Sequence, residues 1–131
     1  MALEERMKAA VGTYISSFEK GELDSIMGIY ADDCWIEDPV GTERKVGRDA
    51  VREFYRVAID MGAKATLESE IRVAGNEAAF AFCMEFDTGD GIMAIRPIDV
   101  MVFNDEGKAI SMRAFFGPSN QSIEKMPTTT G

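Results

Sequence analysis

The N-terminal half of the chain repeats its apolar residues every three or four positions, a spacing typical of helices with one buried face. In the first such stretch the apolar positions are Leu3, Met7, Ala10, Val11, Tyr14 and Phe18. A second, shorter stretch contains Leu23, Ile26, Met27 and Tyr30. A third contains Val51, Phe54, Tyr55, Ala58 and Ile59. Gly21 and Gly62 follow the first and third stretches, where a glycine commonly ends a helix. The pattern predicts three helices, each with one tyrosine on its apolar face.

The C-terminal half alternates apolar and polar residues with a period of two, which predicts half-buried strands. The predicted strands cover residues 65–73, 78–86, 93–103 and 109–116. Glycine-containing turns at 88–91 and 104–107 separate the last three, so consecutive hairpins and an antiparallel sheet are predicted. Helices followed by strands indicate an α+β fold in which three helices pack on one curved antiparallel sheet.

Asp99 interrupts a predicted strand whose two faces are otherwise apolar. The strand positions around it are Pro97, Ile98, Val100, Met101, Val102 and Phe103. An ionised carboxylate in such surroundings would carry a large desolvation cost, so Asp99 is expected to be paired, protonated or directed into a cavity. A structural ion pair with Arg96 or Arg113 is an alternative that the sequence leaves open.

Asp38 lies in the segment 34–41, which is rich in apolar residues. If this segment is extended, Asp38 faces the same way as Cys34, Ile36 and Val40, towards the interior. The alternative is a turn-forming Asp-Pro pair of the kind that is common in loops.

The chain contains no histidine. This removes the commonest general base, the Ser-His and Cys-His nucleophile systems and most zinc sites, so carboxylates and tyrosines must carry any catalysis. Tyr14, Tyr30 and Tyr55 come from helix faces that would converge against the sheet face with Asp99, and linked phenols strengthen one another's hydrogen bonds. The alternative is that each is a core ring whose hydroxyl needs one partner.

The composition fits one small globular domain, because the chain has 131 residues, 46% of them hydrophobic, and no internal repeat. We expect this domain to cover residues 1–125 and to be followed by a flexible tail at 126–131.

The net charge of −9 argues against nucleic acid or an anionic membrane as a partner, and no apolar run reaches the roughly 20 residues of a membrane span. Two cysteines far apart, without an apolar leader, indicate the cytoplasm.

Six short segments stand in a distinctive order and spacing. They are YADD at 30–33, EDPVG at 37–41, REFY at 52–55, NEAAFAF at 76–82, PID at 97–99 and SMRAFFG at 111–117. Together they resemble the ketosteroid isomerases, the bacterial steroid Δ5-isomerases, along nearly the whole chain. The resemblance implies the cone-shaped fold shared with nuclear transport factor two, scytalone dehydratase and polyketide cyclases, with a deep apolar pocket and usually a homodimer.

The resemblance also implies a reaction, the conversion of 3-oxo-Δ5-steroids to 3-oxo-Δ4-steroids by proton transfer through a dienolate. No metal, nucleotide or redox cofactor is implied. Asp38 corresponds to the base, and Tyr14 and Asp99 correspond to the donors of the oxyanion hole. Tyr55 and Tyr30 correspond to phenols that, in some members of the family, extend the hydrogen-bond chain behind Tyr14. Ketosteroid isomerases are themselves the standard example of a carboxylic acid kept neutral so that it donates a hydrogen bond.

The implied ligand is a small apolar ketosteroid. The residues expected to bind it are Val40, Phe54, Phe82, Met84, Phe86, Met101, Met112 and Phe116. The alternative is plain core, because a period of two does not separate core from pocket wall. Two other functions remain open: a cyclase, dehydratase or epoxide hydrolase on the same cone, and a non-catalytic module that binds an apolar ligand.

Overall fold

The computed structural model describes residues 2–125, which form three helices, nine strands and one 3₁₀ turn, Pro118–Asn120. The helices are α1 (Leu3–Lys20), α2 (Leu23–Met27) and α3 (Arg48–Asp60). The strands are β1 (Tyr30–Glu37), β2 (Lys45–Val46), β3 (Lys64–Leu67), β4 (Arg72–Ala74), β5 (Glu77–Asp87), β6 (Gly91–Ile95), β7 (Ile98–Phe103), β8 (Ala109–Phe115) and β9 (Gln121–Lys125). None of the described helices is both long and apolar enough to cross a membrane. The tail expected at 126–131 lies outside the described residues.

Helix α1 has the buried face that its apolar spacing predicts. Met7, Val11, Tyr14 and Phe18 all lie on that face and are buried. The helix ends at Gly21, whose φ of 67° is left-handed and suits glycine. Beyond it, the backbone N–H of residue 22 donates to the carbonyl of residue 17 at 2.9 Å, which satisfies a carbonyl at the helix end. Helix α1 therefore holds Tyr14 in the interior.

All nine described strands belong to one sheet, and β5 is its central strand. The strand order is β2–β1–β8–β7–β5–β6–β9, and β3 and β4 also pair with β5. The first half of β5 pairs with β4 and β7, whereas its second half pairs with β3 and β6. Because β5 passes from one part of the sheet to the other, the sheet curves. The predicted fold class, three helices with one curved sheet, is confirmed.

The sheet is mixed, and the prediction of a wholly antiparallel sheet is wrong in one pair. Strand β1 runs parallel to β8, with Ile36 opposite Met112 and Glu37 opposite Arg113. Strands joined by a short turn must run antiparallel, and this holds for the hairpins. Most of the chain separates β1 from β8, and the alternation of apolar residues carries no information about the direction of such a distant pair.

The strand predicted at 65–73 is interrupted and forms β3 and β4. Between them the backbone N–H of Glu68 donates to the carbonyl of Ala81 at 2.9 Å. The Ser69 hydroxyl oxygen accepts from the Ala81 N–H at 3.2 Å. A serine side chain thus replaces a backbone partner of the ladder, which the alternating pattern does not show.

The strand predicted at 93–103 is also two strands, β6 and β7, separated at Pro97. Proline has no N–H to donate to a sheet ladder. The Pro97 carbonyl still accepts a hydrogen bond from the Phe82 N–H at 3.3 Å, so the chain remains bonded to β5 between the two strands. Strand β6 therefore pairs with β9 on its far side, whereas β7 pairs with β8.

Tyr30 is the first residue of strand β1. The prediction that it lies on the face of the second helix is therefore wrong. Helix α2 has five residues and ends at Met27, and Gly28 follows. The Tyr30 ring is still buried, at 3% exposure, because β1 packs against α3 and Tyr30 contacts Tyr55 of that helix. The expected convergence of the three tyrosines therefore occurs with one of them supplied by the sheet.

Candidate active site

A cavity of about 210 Å³ lies between α1, α3 and the second half of β5. Its walls are Tyr14, Phe18, Asp38, Phe54, Tyr55, Ala58, Phe82, Met84, Phe86, Ile95, Pro97 and Phe116. Only three of these residues, Tyr14, Asp38 and Tyr55, carry a polar side-chain atom. Apolar walls with a few converging polar groups are the usual form of a small-molecule site.

The three tyrosine hydroxyls form a continuous chain of hydrogen bonds in the interior. The Tyr30 and Tyr55 hydroxyl oxygens lie 2.6 Å apart, and Tyr55 donates to the Tyr14 hydroxyl at 3.2 Å. Each phenol has one proton, so Tyr30 must donate to Tyr55. The Tyr14 proton is the one that no other tyrosine uses. Tyr14 is therefore the member of the chain with a proton available for a ligand in the cavity.

Burial keeps all three phenols neutral. It raises the pKa of Tyr14 well above its ordinary value of 10.0, and the Asp99 carboxyl raises it further. Burial likewise raises the pKa of Tyr30 and of Tyr55. The hydrogen bond from Tyr55 acts in the opposite direction on Tyr14 because it stabilises the phenolate. That bond makes Tyr14 a stronger donor than an isolated buried phenol.

Strand β7 buries Asp99 opposite Phe80 of β5 and Ala114 of β8. Its exposure is 1%, and neither carboxyl oxygen has a hydrogen-bond partner among residues 2–125. Burial raises the pKa of Asp99 well above its ordinary value of 3.8, and the Asp38 carboxylate adds to this shift. The nearby Tyr14 hydroxyl lowers the pKa of Asp99 and so opposes this shift, although it forms no hydrogen bond with either Asp99 oxygen. This environment favours a neutral Asp99 with a proton to donate.

The alternative of a structural ion pair for Asp99 is wrong. The Arg96 guanidinium contacts Glu68 at 3.2 Å, and the Arg113 guanidinium contacts Glu37 at 2.9 Å. Neither arginine forms an ion pair with Asp99, so no described cation offsets its burial.

Asp38 follows β1 and is held between two contacts to β8. On one side the Arg113 guanidinium donates to the Glu37 carboxylate at 2.9 Å. On the other side the Val40 N–H donates to the carbonyl of Ala114 at 2.8 Å. The chain bends at Asp38, as the Asp-Pro interpretation predicts, and the side chain also lines the cavity. Both interpretations of Asp38 therefore apply.

The environment of Asp38 suits a base that works near neutral pH. Burial raises its pKa from 3.8 to about 6, and the Lys45 ammonium opposes this shift. Lys45 lies on β2 opposite Ile36, and its Nζ is 5.1 Å from the centroid of the Phe54 ring. A carboxyl with this pKa is mostly ionised at pH 7 and is more basic than an ordinary aspartate.

The structure brings most of the predicted site residues to one cavity. Those in its walls are Tyr14, Asp38, Tyr55, Phe54, Phe82, Met84, Phe86 and Phe116. Tyr30 lies behind Tyr55, and Asp99 lies beside the wall residues without being one of them. Met101 and Met112 are fully buried core residues outside the cavity wall, and Val40 is outside it as well.

Four wall residues were not predicted: Phe18, Ala58, Ile95 and Pro97. Helical spacing would have found two of them, because Phe18 and Ala58 each lie four residues after another wall residue. Pro97 lies two residues before Asp99 and so shares its side of the extended chain. Ile95 faces Met84 across β5 and β6, and only the strand register shows this.

The chain belongs to the SnoaL-like domain family, within the nuclear-transport-factor-two-like superfamily, and the family model matches residues 11–112. A curated relative from Nocardioides simplex is a steroid Delta-isomerase. It is 38% identical over 122 residues, which cover 92% of this chain and 98% of the relative. The predicted resemblance to steroid isomerases is confirmed by this relative.

A solved structure shows the same fold with another chemistry. SalBIII, described as an epoxide hydrolase/cyclase-like enzyme with a role in pyran ring formation in polyether salinomycin, matches with a TM-score of 0.85 and 27% sequence identity. The match covers 92% of this chain and 98% of SalBIII. The fold alone therefore does not select one reaction.

Proposed function

We propose that this chain is a steroid isomerase that converts 3-oxo-Δ5-steroids to 3-oxo-Δ4-steroids. The observation that carries the proposal is the pairing, in one apolar cavity, of a carboxyl whose pKa is about 6 with a buried phenol whose proton is available. The first is Asp38 and the second is Tyr14. The similarity to a steroid Delta-isomerase over 92% of the chain supports the same conclusion.

Asp38 is the group that moves the proton. In a 3-oxo-Δ5-steroid, one carbon lies between the ketone and the double bond, and its proton is acidified by both. The Asp38 carboxylate takes that proton, and the electron pair moves through the carbonyl to give a dienolate. The protonated Asp38 then returns the proton to the far carbon of the former double bond. The double bond becomes conjugated with the ketone, and Asp38 regains its charge.

Tyr14 and Asp99 are assigned to the developing oxyanion. Tyr14 receives a hydrogen bond from Tyr55 and keeps its own proton for the ligand oxygen. Asp99 is neutral because of its burial, and neither of its oxygens has another partner. Two such donors stabilise a dienolate more than a neutral ketone, and the apolar surroundings strengthen the effect.

We extend the proposal to a homodimer in the cytoplasm. Ile98 and Phe115 are partners in the β7–β8 register and are 50% and 43% exposed, so two large apolar side chains adjoin on the outer face of the sheet. Such a pair suits a contact between two copies. Cys34 and Cys83 are free thiols within the described chain, as is usual in a reducing compartment. Sedimentation velocity tests the dimer, because a monomeric protein at micromolar concentration would contradict it.

The test of the reaction is optical. A 3-oxo-Δ5-steroid is incubated with the protein, and absorbance of the conjugated enone is followed at neutral pH. We expect rapid, catalytic formation of the enone. An equimolar or absent absorbance change, with tight steroid binding, would identify a non-catalytic binding module.

A second candidate function is the opening of an epoxide, as the description of SalBIII suggests for that enzyme. The two carboxyls favour it, because the neutral Asp99 is an acid for the epoxide oxygen and Asp38 is a base for the attacking hydroxyl. The same preparation is therefore offered an epoxy alcohol with an apolar skeleton. Turnover of the epoxide without enone formation from the steroid would replace the isomerase assignment.

A further inference from the structure

An open apolar groove runs along the outer side of α3, next to the cavity. Its walls are Lys45, Ala50, Glu53, Phe54, Val57, Ala58, Met61 and Phe86. Three of these residues, Phe54, Ala58 and Phe86, also line the cavity. The groove and the cavity therefore meet across shared side chains.

The spacing along α3 explains how the apolar surface continues outwards. Phe54 and Ala58 are four residues apart and form the row that faces the cavity. Val57, on α3, and Met61, the residue that follows the last residue of α3, form a second row with the same spacing, beside the first. They are 44% and 51% exposed, whereas the other exposed residues of α3 are all charged. The apolar wall thus extends from the cavity onto the surface.

The two charged residues of the groove leave it suited to an apolar occupant. The Glu53 carboxylate accepts a hydrogen bond from Arg56 at 2.9 Å. The Lys45 ammonium lies over the Phe54 ring and forms no ion pair with any described residue. The other wall residues are all apolar: Ala50, Val57, Met61 and the three residues shared with the cavity.

The cavity alone is small for a four-ring ligand. Its volume of about 210 Å³ is smaller than the ~300 to 1,000 Å³ of sites that hold drug-sized ligands. The groove adds about 540 Å³. A four-ring ligand whose ketone reaches Tyr14 therefore extends past Phe54 and Phe86, and the apolar surface beyond these residues is the groove.

We propose that this groove binds the far end of the substrate, namely the ring remote from the reacting ketone and an alkyl side chain attached to that ring. The inference rests on the proposed isomerase function and adds a substrate class to it. The enzyme prefers ketosteroids with an aliphatic side chain over those whose last ring carries only an oxo group. Val57 and Met61 supply the contacts that distinguish the two.

The test uses two 3-oxo-Δ4-steroids, the reaction products, one with a branched alkyl side chain and one with an oxo group in its place. Titration calorimetry measures the Kd of each for the wild type and for Val57→Glu and Met61→Glu. Both substitutions are at exposed positions, so the fold is expected to be retained. We expect the Kd of the alkyl steroid to rise roughly tenfold and that of the oxo steroid to change less than twofold.

Val46→Glu is the matched control. The substitution adds the same charge, and Val46 is 71% exposed and is not a wall residue of the groove. It should leave both Kd values unchanged. Equal effects of Val57→Glu on the two steroids would overturn the proposal. So would an effect on the sedimentation coefficient alone, which would make the groove a contact between copies of the chain.

The calorimetric result is independent of turnover. The two 3-oxo-Δ5-steroids that correspond to these products are assayed in parallel for enone formation. If the wild type forms no enone from either of them but still binds the alkyl product more tightly through Val57 and Met61, the isomerase proposal fails and the groove assignment stands. If both Δ5-steroids are isomerised while the two products bind equally well, the groove assignment fails and the isomerase proposal stands.

Discussion

The Tyr55 hydroxyl donates to the Tyr14 hydroxyl at 3.2 Å, and both rings are 1% exposed. Tyr14 meets Tyr55 edge-on, with ring centroids 5.7 Å apart, so the aromatic contact and the hydrogen bond fix the same geometry. The relationship gives the two phenols different tasks. In the proposed mechanism Tyr14 contacts the ligand oxygen, whereas Tyr55 is a positioning residue that orients Tyr14 and strengthens it as a donor.

This division predicts a graded loss of activity. Tyr14→Phe should lower kcat by roughly 10² to 10³, the usual effect of removing one oxyanion donor. Tyr55→Phe should lower kcat by about fivefold, because it removes one hydrogen bond of ~1 kcal/mol that acts through Tyr14. Steady-state kinetics of both variants check this. A larger loss in Tyr55→Phe than in Tyr14→Phe, or a change confined to KM, would reverse the assigned order.

The second prediction concerns Asp99 and stability. Its folded pKa is raised above its unfolded value, so the native state binds the extra proton, and stability falls as pH rises from the unfolded pKa towards the folded one. Asp99→Asn keeps a neutral donor without this proton uptake. It should be as stable as the wild type or more stable near neutral pH, and its advantage should shrink in acid. Urea unfolding across the pH range measures the difference.

Asp99→Ala is the matched variant for activity, because it removes the donor altogether. Asp99→Asn should retain more of the wild-type kcat than Asp99→Ala does. Marked destabilisation of Asp99→Asn at neutral pH that eases in acid would mean that the wild-type carboxyl is ionised and paired.

The third prediction is a pH profile controlled by Lys45. Asp38 acts as a base only when ionised, so kcat/KM should rise with pH and level off above an inflection near its pKa of about 6. The Lys45 ammonium lowers this pKa, so Lys45→Gln should move the inflection to higher pH. Lys64→Gln is the control, because the Lys64 ammonium donates to the Glu19 carbonyl at 2.9 Å and, unlike Lys45, is not among the groups that shift the pKa of Asp38. An unchanged inflection in Lys45→Gln would show that Lys45 does not lower the pKa of Asp38.

The fourth prediction concerns an analogue of the intermediate. A steroid with a phenolic first ring carries an oxygen that resembles the dienolate, so it should bind more tightly than the ketone product. Fluorescence titration of the two ligands measures the ratio. Asp99→Ala should reduce this ratio, because it removes one of the two donors. Equal affinities in the wild type would count against an oxyanion hole.

The sequence was sufficient for α1 and α3, because both keep their apolar residues at helical spacing and each is followed within two residues by a glycine, Gly21 or Gly62. It was not sufficient for Tyr30, whose apolar spacing continues that of α2 although the chain has already turned into β1. The parallel pairing of β1 with β8 depends on contacts between distant segments. Such contacts leave no periodic signal in either strand.

The candidate site was predictable to a different degree for each residue. Asp99 was conspicuous because a carboxyl among apolar residues conflicts with its surroundings, and burial without a cation is what the structure shows. The sequence could not decide between two interpretations of Asp38, a chain bend and an inward-facing carboxyl, because one residue can satisfy both. Met101 and Met112 show the limit of the pattern, since core and cavity wall both require apolar residues on the same strand face.

The most direct test of the central claim is the kcat of Asp38→Asn with a 3-oxo-Δ5-steroid, followed as enone absorbance. The substitution keeps the size of the side chain and removes the only carboxylate among the described wall residues of the cavity. Circular dichroism and binding of the product steroid confirm that the variant is folded and its cavity intact. The account predicts a fall in kcat of roughly 10² to 10⁴, with product affinity little changed. A folded Asp38→Asn protein with near-normal kcat would contradict it.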